Sequence, residues 1–236
     1  MKALELTNVG LVLGSGVGRT QALTDINLTV SPGELVAVTG RSGSGKSSLC
    51  NVSGGLASAT MGEISVFSEP LVGNEAKVAE IRRRFVGYIF QDYNLIGSLT
   101  ALENVSLPLE LGGTPVAEAR AQATSALEQV ELGFALKRSI GELSGGEQQR
   151  VAIARGLVGE RKLFLADEPT AALDDVTGEH ILRLLRSKCD EGAAALMVTH
   201  DPAQAAWADR VIRLSEGRLV GESQAASESI ELKGLH

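Results

Sequence analysis

The sequence predicts an α/β fold, and three observations carry the prediction. The stretch Gly40 to Ser47, Gly-Arg-Ser-Gly-Ser-Gly-Lys-Ser, follows the apolar run Leu35 to Thr39 and opens into a helical stretch, Ser47-Ser-Leu-Cys-Asn-Val. Leu163-Phe-Leu-Ala166 and Ala194-Ala-Leu-Met-Val198 are short, wholly apolar runs flanked by helical segments, the pattern of strands buried on both faces of a parallel sheet. Ahead of them, alternating runs separated by Gly and Pro turn signals predict an antiparallel β layer.

That layer is expected from strands over Ala3 to Val9, Ile26 to Val30 and Leu35 to Thr39. Ser31-Pro-Gly33 supplies one turn between them. The cluster Gly14 to Gly18 lacks the third glycine of a dinucleotide fingerprint and no helical pattern follows, so it reads as a hairpin tip.

A strand that ends in a glycine-rich turn and enters a helix aims successive backbone N–H groups at one anion. The glycines let the chain curl around a triphosphate, Lys46 neutralises its β and γ oxygens, and the Ser47 hydroxyl is placed for a magnesium ion. A nucleoside triphosphate is the ligand class this motif predicts.

From Asp92 to Arg150 the pattern turns helical. Thr114-Pro115 reads as an N-cap and first-turn pair ahead of Val116, Ala119, Ala123, Leu127 and Val130, and Gly133 closes the segment. Leu143-Ser-Gly-Gly-Glu-Gln-Gln-Arg150 then leads into the helical stretch Val151 to Val158. Ser144, Gly145 and Gly146 form a second anion-receptive helix N-terminus, or equally an ordinary serine cap with a glycine turn. The apolar strand at 163–166 ends in Asp167-Glu168-Pro, which places Asp167 near the magnesium and lets Glu168 polarise a water. A helix-capping acid is the alternative for Glu168. Among the three histidines, His200 follows a buried strand, whereas His180 sits in a helix and His236 at the chain end, where solvent exposure is expected.

Composition narrows the classes. At 236 residues with 44% apolar content, the chain suffices for one sizeable core. A net charge of −7 argues against a nucleic-acid partner, and Arg82-Arg-Arg84 is short enough to be a solvated face. No apolar run approaches the roughly 18 residues of a membrane span, and the start lacks a secretion leader's apolar core, so a cytoplasmic location is expected. Cys50 and Cys189 form no metal-type pair and read as packed thiols.

The order of phosphate loop, Gln91, Leu-Ser-Gly-Gly-Glu-Gln, Leu-Ala-Asp-Glu-Pro and Thr199-His200-Asp201 resembles the ATP-binding subunit of ABC transporters over about residues 1–221. Within that superfamily, Gly54-Gly-Leu56, Phe90-Gln-Asp-Tyr-Asn94 and Leu99-Thr-Ala-Leu-Glu-Asn104-Val look like the macrolide-exporter, lipoprotein-releasing and cell-division (FtsE-like) branch.

The resemblance implies a P-loop NTPase (RecA-like) core, 1–90 and 151–221, with an N-terminal antiparallel β layer and an inserted α-helical subdomain at 91–150; beyond it, the rise in Ser, Ala and Glu from Glu222 to His236 reads as a loosely held tail. It implies ATP and Mg2+ as ligands and a head-to-tail dimer, each ATP lying between the loop of one copy and Ser144, Gly145, Gly146 and Glu147 of the other. Gly40, Arg41, Ser42, Gly43, Ser44, Gly45, Lys46, Ser47 and Ser48 map onto the phosphate positions, Ser47 and Gln91 onto magnesium, and Asp167 supports the metal. Glu168 orients or deprotonates the attacking water, His200 contacts the γ-phosphate, and Ala171-Ala-Leu-Asp174 crosses the seam. An integral membrane permease is the implied second partner, met by the helical lobe near Gln91 to Asn104 and holding the protein to the inner face of the membrane. The implied role is to drive export of a hydrophobic compound, peptide, lipoprotein or haem, or, as the alternative, to signal through the membrane to an extracellular hydrolase. One departure stands out: where the family stacks an aromatic ring on adenine, this chain carries Leu13 and nearby aliphatics.

Overall fold

A computed structural model describes residues 1–14 and 16–224. In chain order the strands are β1 (Leu4–Leu13), β2 (Thr20–Val30), β3 (Leu35–Thr39), β4 (Met61–Val66), β5 (Glu69–Pro70), β6 (Val86–Ile89), β7 (Leu163–Asp167), β8 (Ala194–Val198), β9 (Arg210–Ser215) and β10 (Arg218–Gln224). The helices are α1 (Lys46–Ser53), α2 (Glu75–Phe85), α3 (Ala101–Leu111), α4 (Val116–Gln129), α5 (Gly145–Leu157), α6 (Asp175–Asp190) and α7 (Pro202–Ala205).

Two sheets form. One is antiparallel in the order β2-β1-β4-β5, and the other runs β10-β9-β3-β8-β7-β6 with every pair from β9 to β6 parallel. The expected antiparallel layer therefore exists, but Leu35–Thr39 is not part of it. β3 pairs parallel with β8 and β9 at the centre of the larger sheet, and its place in the layer is taken by β4, on the far side of β1. The physical reason is visible in β3 itself: every residue from Leu35 to Val38 is apolar and buried, which suits a strand covered on both faces and not a layer with one face in water. The strands of the layer also run further than expected, with Leu13 opposite Thr20 across the Gly16–Gly18 hairpin tip.

The pleat of the parallel sheet sorts its side chains into two cores. Val36, Val38, Leu163, Leu165, Leu196 and Val198 pack with α1 and the antiparallel layer. Their neighbours Leu35, Ala37, Phe164, Ala166, Ala195 and Met197 face the opposite way, against α6 and the helical lobe. Both cysteines are buried in these cores, and burial pushes the Cys189 thiol up to about 12.

In the lobe, α3 starts at a capping box in which Thr100 Oγ1 accepts from the Glu103 N–H and Glu103 accepts from the Thr100 N–H. α4 begins one residue later than expected: Pro115 occupies the N-cap with extended ψ, and no side-chain cap closes it. The fixed φ of proline serves that position as well as the first turn. α5 touches α3, α4 and β6, and residue 150 falls in its middle, so the helix is shared by lobe and core. Of the arginine run, Arg83 and Arg84 are exposed, while Arg82 is half-buried and donates to the Gly55 carbonyl at 2.9 Å. His180 is exposed with Nε2 2.8 Å from the Gln129 carbonyl. Residues 222–224 of the expected tail belong to β10; 225–236, including His236, lie outside the described residues.

Candidate nucleotide site

The larger sheet sends the C-terminal ends of β3, β7 and β8 to one edge, and the loops that follow them meet there. The turn after β3 needs its glycines. Gly43 and Gly45 have φ of 78° and 104°, and Gly45 is the N-cap of α1. A Cβ on Gly40 would stand 2.3 Å from the Leu214 carbonyl oxygen, and one on Gly45 2.6 Å from that of Ala22. The main chain thus fits tightly against β2 and β9 and curls over the N-terminus of α1. Lys46 lies across this curl, its Nζ donating to the carbonyls of Gly40 at 2.9 Å and Arg41 at 3.3 Å.

Asp167 closes β7 and Glu168 follows in the left-handed region, φ 48°. The Glu168 N–H donates to the Val198 carbonyl at 2.9 Å, so β8 fixes the turn. Its side chain is 8% exposed, with Oε1 2.8 Å from Nδ1 of His200, a residue at the end of β8 that is itself 70% exposed. Glu168 Oε2 and Asp167 Oδ1 are both buried with no hydrogen-bond partner. Burial raises the Asp167 pKa, the nearby Ser47 hydroxyl opposes this, and the Glu168 charge adds to the rise.

A cavity of about 620 Å³ joins these parts. Gly40, Arg41, Ser42, Gly43, Gly45, Lys46, Ser47 and Ser48 line one wall, and Gln91, Asp167, Glu168 and His200 the other. Leu13, Thr20, Gln21 and Ala22, from the hairpin of the antiparallel layer, make a third side. Gln91 also lines an adjoining cavity with Ser47 and Asp167. Ser44 is the one loop residue turned inward: it is buried, its hydroxyl is unpartnered, and its N–H donates to the Arg41 carbonyl.

The remaining expected residues do not line this cavity. Ser144 caps α5, accepting from the Glu147 N–H at 3.3 Å, while Glu147 Oε2 accepts from the Ser144 N–H at 2.7 Å. Gly145 and Gly146 form the first turn of that helix. Asp174 caps α6, accepting from the Thr177 N–H at 3.0 Å, and lines a neighbouring cavity that shares His200. The fold therefore gathers the phosphate loop, Gln91, Asp167, Glu168 and His200 at one place, and presents Ser144 to Glu147 elsewhere on the chain.

The donor set fits a polyphosphate with a divalent cation. Lys46 and the N-terminus of α1 supply positive potential, and the partnerless Asp167 oxygen beside the Ser47 hydroxyl is the hard oxygen ligation that magnesium takes.

Two groups not singled out from the sequence also shape the site. Gln149 is fully buried and bonds the turn at Glu168. Arg155 donates to the carbonyls of Tyr93 and Asn94 at 2.6 and 2.5 Å, fixing the loop that begins at Gln91. A glutamine or an arginine on a helix ordinarily faces water, so residue type alone gives no signal of either.

Fold and site together define a nucleoside-triphosphate-binding α/β domain. A family model described as ABC transporter matches residues 23–171, and the chain belongs to that family as one of its ATP-binding cassettes. It is 39% identical, with a TM-score of 0.90, to the ATP-binding cassette MJ0796, solved as a dimer in a post-hydrolysis state with ADP and Pi; the match covers 94% of this chain and 99% of that one. It is similar to macrolide export ATP-binding/permease proteins MacB: 40% identical to that of Aggregatibacter actinomycetemcomitans over 95% of this chain, and 41% to MacB 1/2 of Paracoccus denitrificans over 97%. The chain spans about a third of the length of these relatives, 35% and 34%. Among the described residues no helix is long and apolar enough to cross a membrane.

Proposed function

We propose that the chain binds ATP with magnesium, hydrolyses it in a head-to-tail dimer, and uses the cycle to drive a membrane permease in export. The observation that carries the chemistry is the pair of buried, partnerless carboxylate oxygens on Asp167 and Glu168, set across one cavity from the phosphate loop. Lys46 and the loop N–H groups hold the phosphates. Ser47, Gln91 and Asp167 would hold the magnesium, which supplies charge neutralisation of the β and γ oxygens.

Water attacks the γ-phosphorus in line, the bond from that phosphorus to the β–γ bridging oxygen breaks, and ADP leaves with the electron pair. Glu168 Oε2 orients the water and takes its proton, while His200 engages Oε1 and leaves Oε2 without a partner. His200 is also placed to meet the γ-phosphate. Positioning and charge stabilisation do most of the work in this reaction class.

The dimer reading rests on the placement of Ser144, Gly145, Gly146 and Glu147. They form a capped, exposed helix N-terminus away from their own loop, where a second copy completes the site with Asp174 near the seam. A variant carrying Arg41→Cys and Ser144→Cys, treated with a mild disulfide-forming oxidant, is expected to cross-link into a dimer when ATP is present and to remain monomeric under the same oxidant without it, read on a non-reducing denaturing gel. Monomer alone under saturating ATP overturns the dimer. Likeness to the macrolide exporters supports transport of a hydrophobic compound through a permease that meets the lobe near Gln91 to Asn104. ATP-dependent flux in vesicles containing both partners tests this, and a stable complex that stimulates hydrolysis without flux favours signalling.

Leu13 is 45% exposed at the cavity edge, which makes it the apolar shelf for adenine. Leu13→Tyr is expected to tighten ATP about 2- to 12-fold, the equivalent of about 0.5–1.5 kcal/mol of aromatic pairing. Titration with a fluorescent ATP analogue checks it.

A further inference from the structure

We infer that Gln149 is a positioning residue for the hydrolysis, holding the main chain of Glu168 from α5; the inference rests on the reading of Glu168 as the group that takes the proton. Gln149 has no exposed surface, and all of its amide is used. Nε2 donates to the carbonyls of Glu168 at 3.2 Å and Pro169 at 2.5 Å, and Oε1 accepts from the Ala172 N–H at 2.8 Å. The pattern fixes which way the amide faces, because the reverse orientation would set an oxygen against two carbonyls and an NH2 against an N–H.

Glu168 needs such a hold. A non-glycine residue at φ 48° is strained and persists only where its surroundings over-determine it. β8 supplies one grip through Val198, on the Glu168 N–H, and Gln149 supplies the other, on the carbonyl. Between them the Cα of Glu168 is fixed, and with it the point from which the carboxylate held by His200 extends. The same side chain reaches Ala172, against which the start of α5 is packed, a Cβ on Gly146 falling 3.3 Å from the Ala172 carbonyl oxygen. Gln149 does not itself line the cavity, and Glu168 is the lining residue it holds, so its effect passes through Glu168.

The test uses the full chain with Gln149→Met, which keeps length and removes every hydrogen bond. The expected result is a kcat lower by about 10- to 100-fold, the scale of a displaced catalytic group, with KM for ATP and the affinity for a fluorescent ATP analogue within about 3-fold of wild type. In a Glu168→Gln background the same substitution is expected to leave the residual single-turnover rate unchanged, since residues that act as a unit are non-additive. Unchanged kcat in the wild-type background, an equal fold-drop in both backgrounds, or a loss of nucleotide affinity that matches the loss of activity overturns the inference. Wild-type turnover in Glu168→Gln alone overturns the reading of Glu168 and this inference with it, which separates the two failures. Where Gln149→Met does not stay folded, Gln149→Asn, which keeps both amide functions on a shorter stem, is read by the same criteria.

Discussion

Glu168→Gln is expected to bind ATP with near wild-type affinity and to hydrolyse it about 10²- to 10⁴-fold more slowly, the range associated with losing a positioned general base. The substitution is nearly isosteric. The amide oxygen can still meet His200 Nδ1 at the place of Oε1, and the backbone bonds to Val198 and Gln149 are untouched. What is lost is the capacity of the partnerless Oε2 to take a proton. A slow hydrolyser that still binds should accumulate as the closed, ATP-loaded dimer, so phosphate release and light-scattering mass are measured on one preparation. Wild-type phosphate release from this variant removes Glu168 from the chemistry. Loss of binding in parallel with loss of turnover assigns it a ligand-holding role instead.

Lys46→Ala is expected to act one step earlier, weakening nucleotide binding itself by about 10- to 100-fold or more. Hydrogen bonds to a charged group contribute about 1.5–3 kcal/mol each, and in the proposed site the Lys46 ammonium meets the β and γ phosphates. Its Nζ also donates to the carbonyls of Gly40 and Arg41, which braces the curl. The alanine variant therefore loses both a charge at the phosphates and a brace on the loop. Titration with a fluorescent ATP analogue reads the effect, and unchanged affinity refutes it. The two variants are distinguishable in kind: one keeps the ligand and loses the reaction, the other loses the ligand.

The parts of the molecule visible in the sequence are those whose chemistry is local. A glycine-rich turn between a strand and a helix has its meaning within a few residues, and so do Asp167-Glu168 at the end of an apolar strand. β7 and β8 were legible because burial on both faces leaves unbroken apolar runs. The same rule applied to Leu35–Thr39 assigns it to the parallel sheet, but its nearness in sequence to β1 and β2 pointed to the wrong layer. β4 is half exposed and contains Gly62 and Glu63, so neither apolar content nor alternation announces it. Sheet membership depends on which strand arrives beside it, which is tertiary information. The inward turn of Ser44 and the burial of Gln149 are illegible for the same cause: each belongs to a residue type that ordinarily meets water.

Arg155 has a wider implication. It holds the loop after Gln91 by main-chain oxygens, at two residues with positive φ, and lies over the Phe90 ring at 5.9 Å from its centroid. A carbonyl is present whatever side chain a position carries. The path of that loop is therefore written into a helix more than sixty positions further on, and the residues along it are free to diverge so long as they tolerate the left-handed backbone. Lysine could not replace the clamp, because a single ammonium lacks the planar fork that spans two acceptors at once. Variation among relatives is thus expected to accumulate in the held segment while the holder stays arginine, so that the loop surface can change without disturbing the nucleotide cavity beside it.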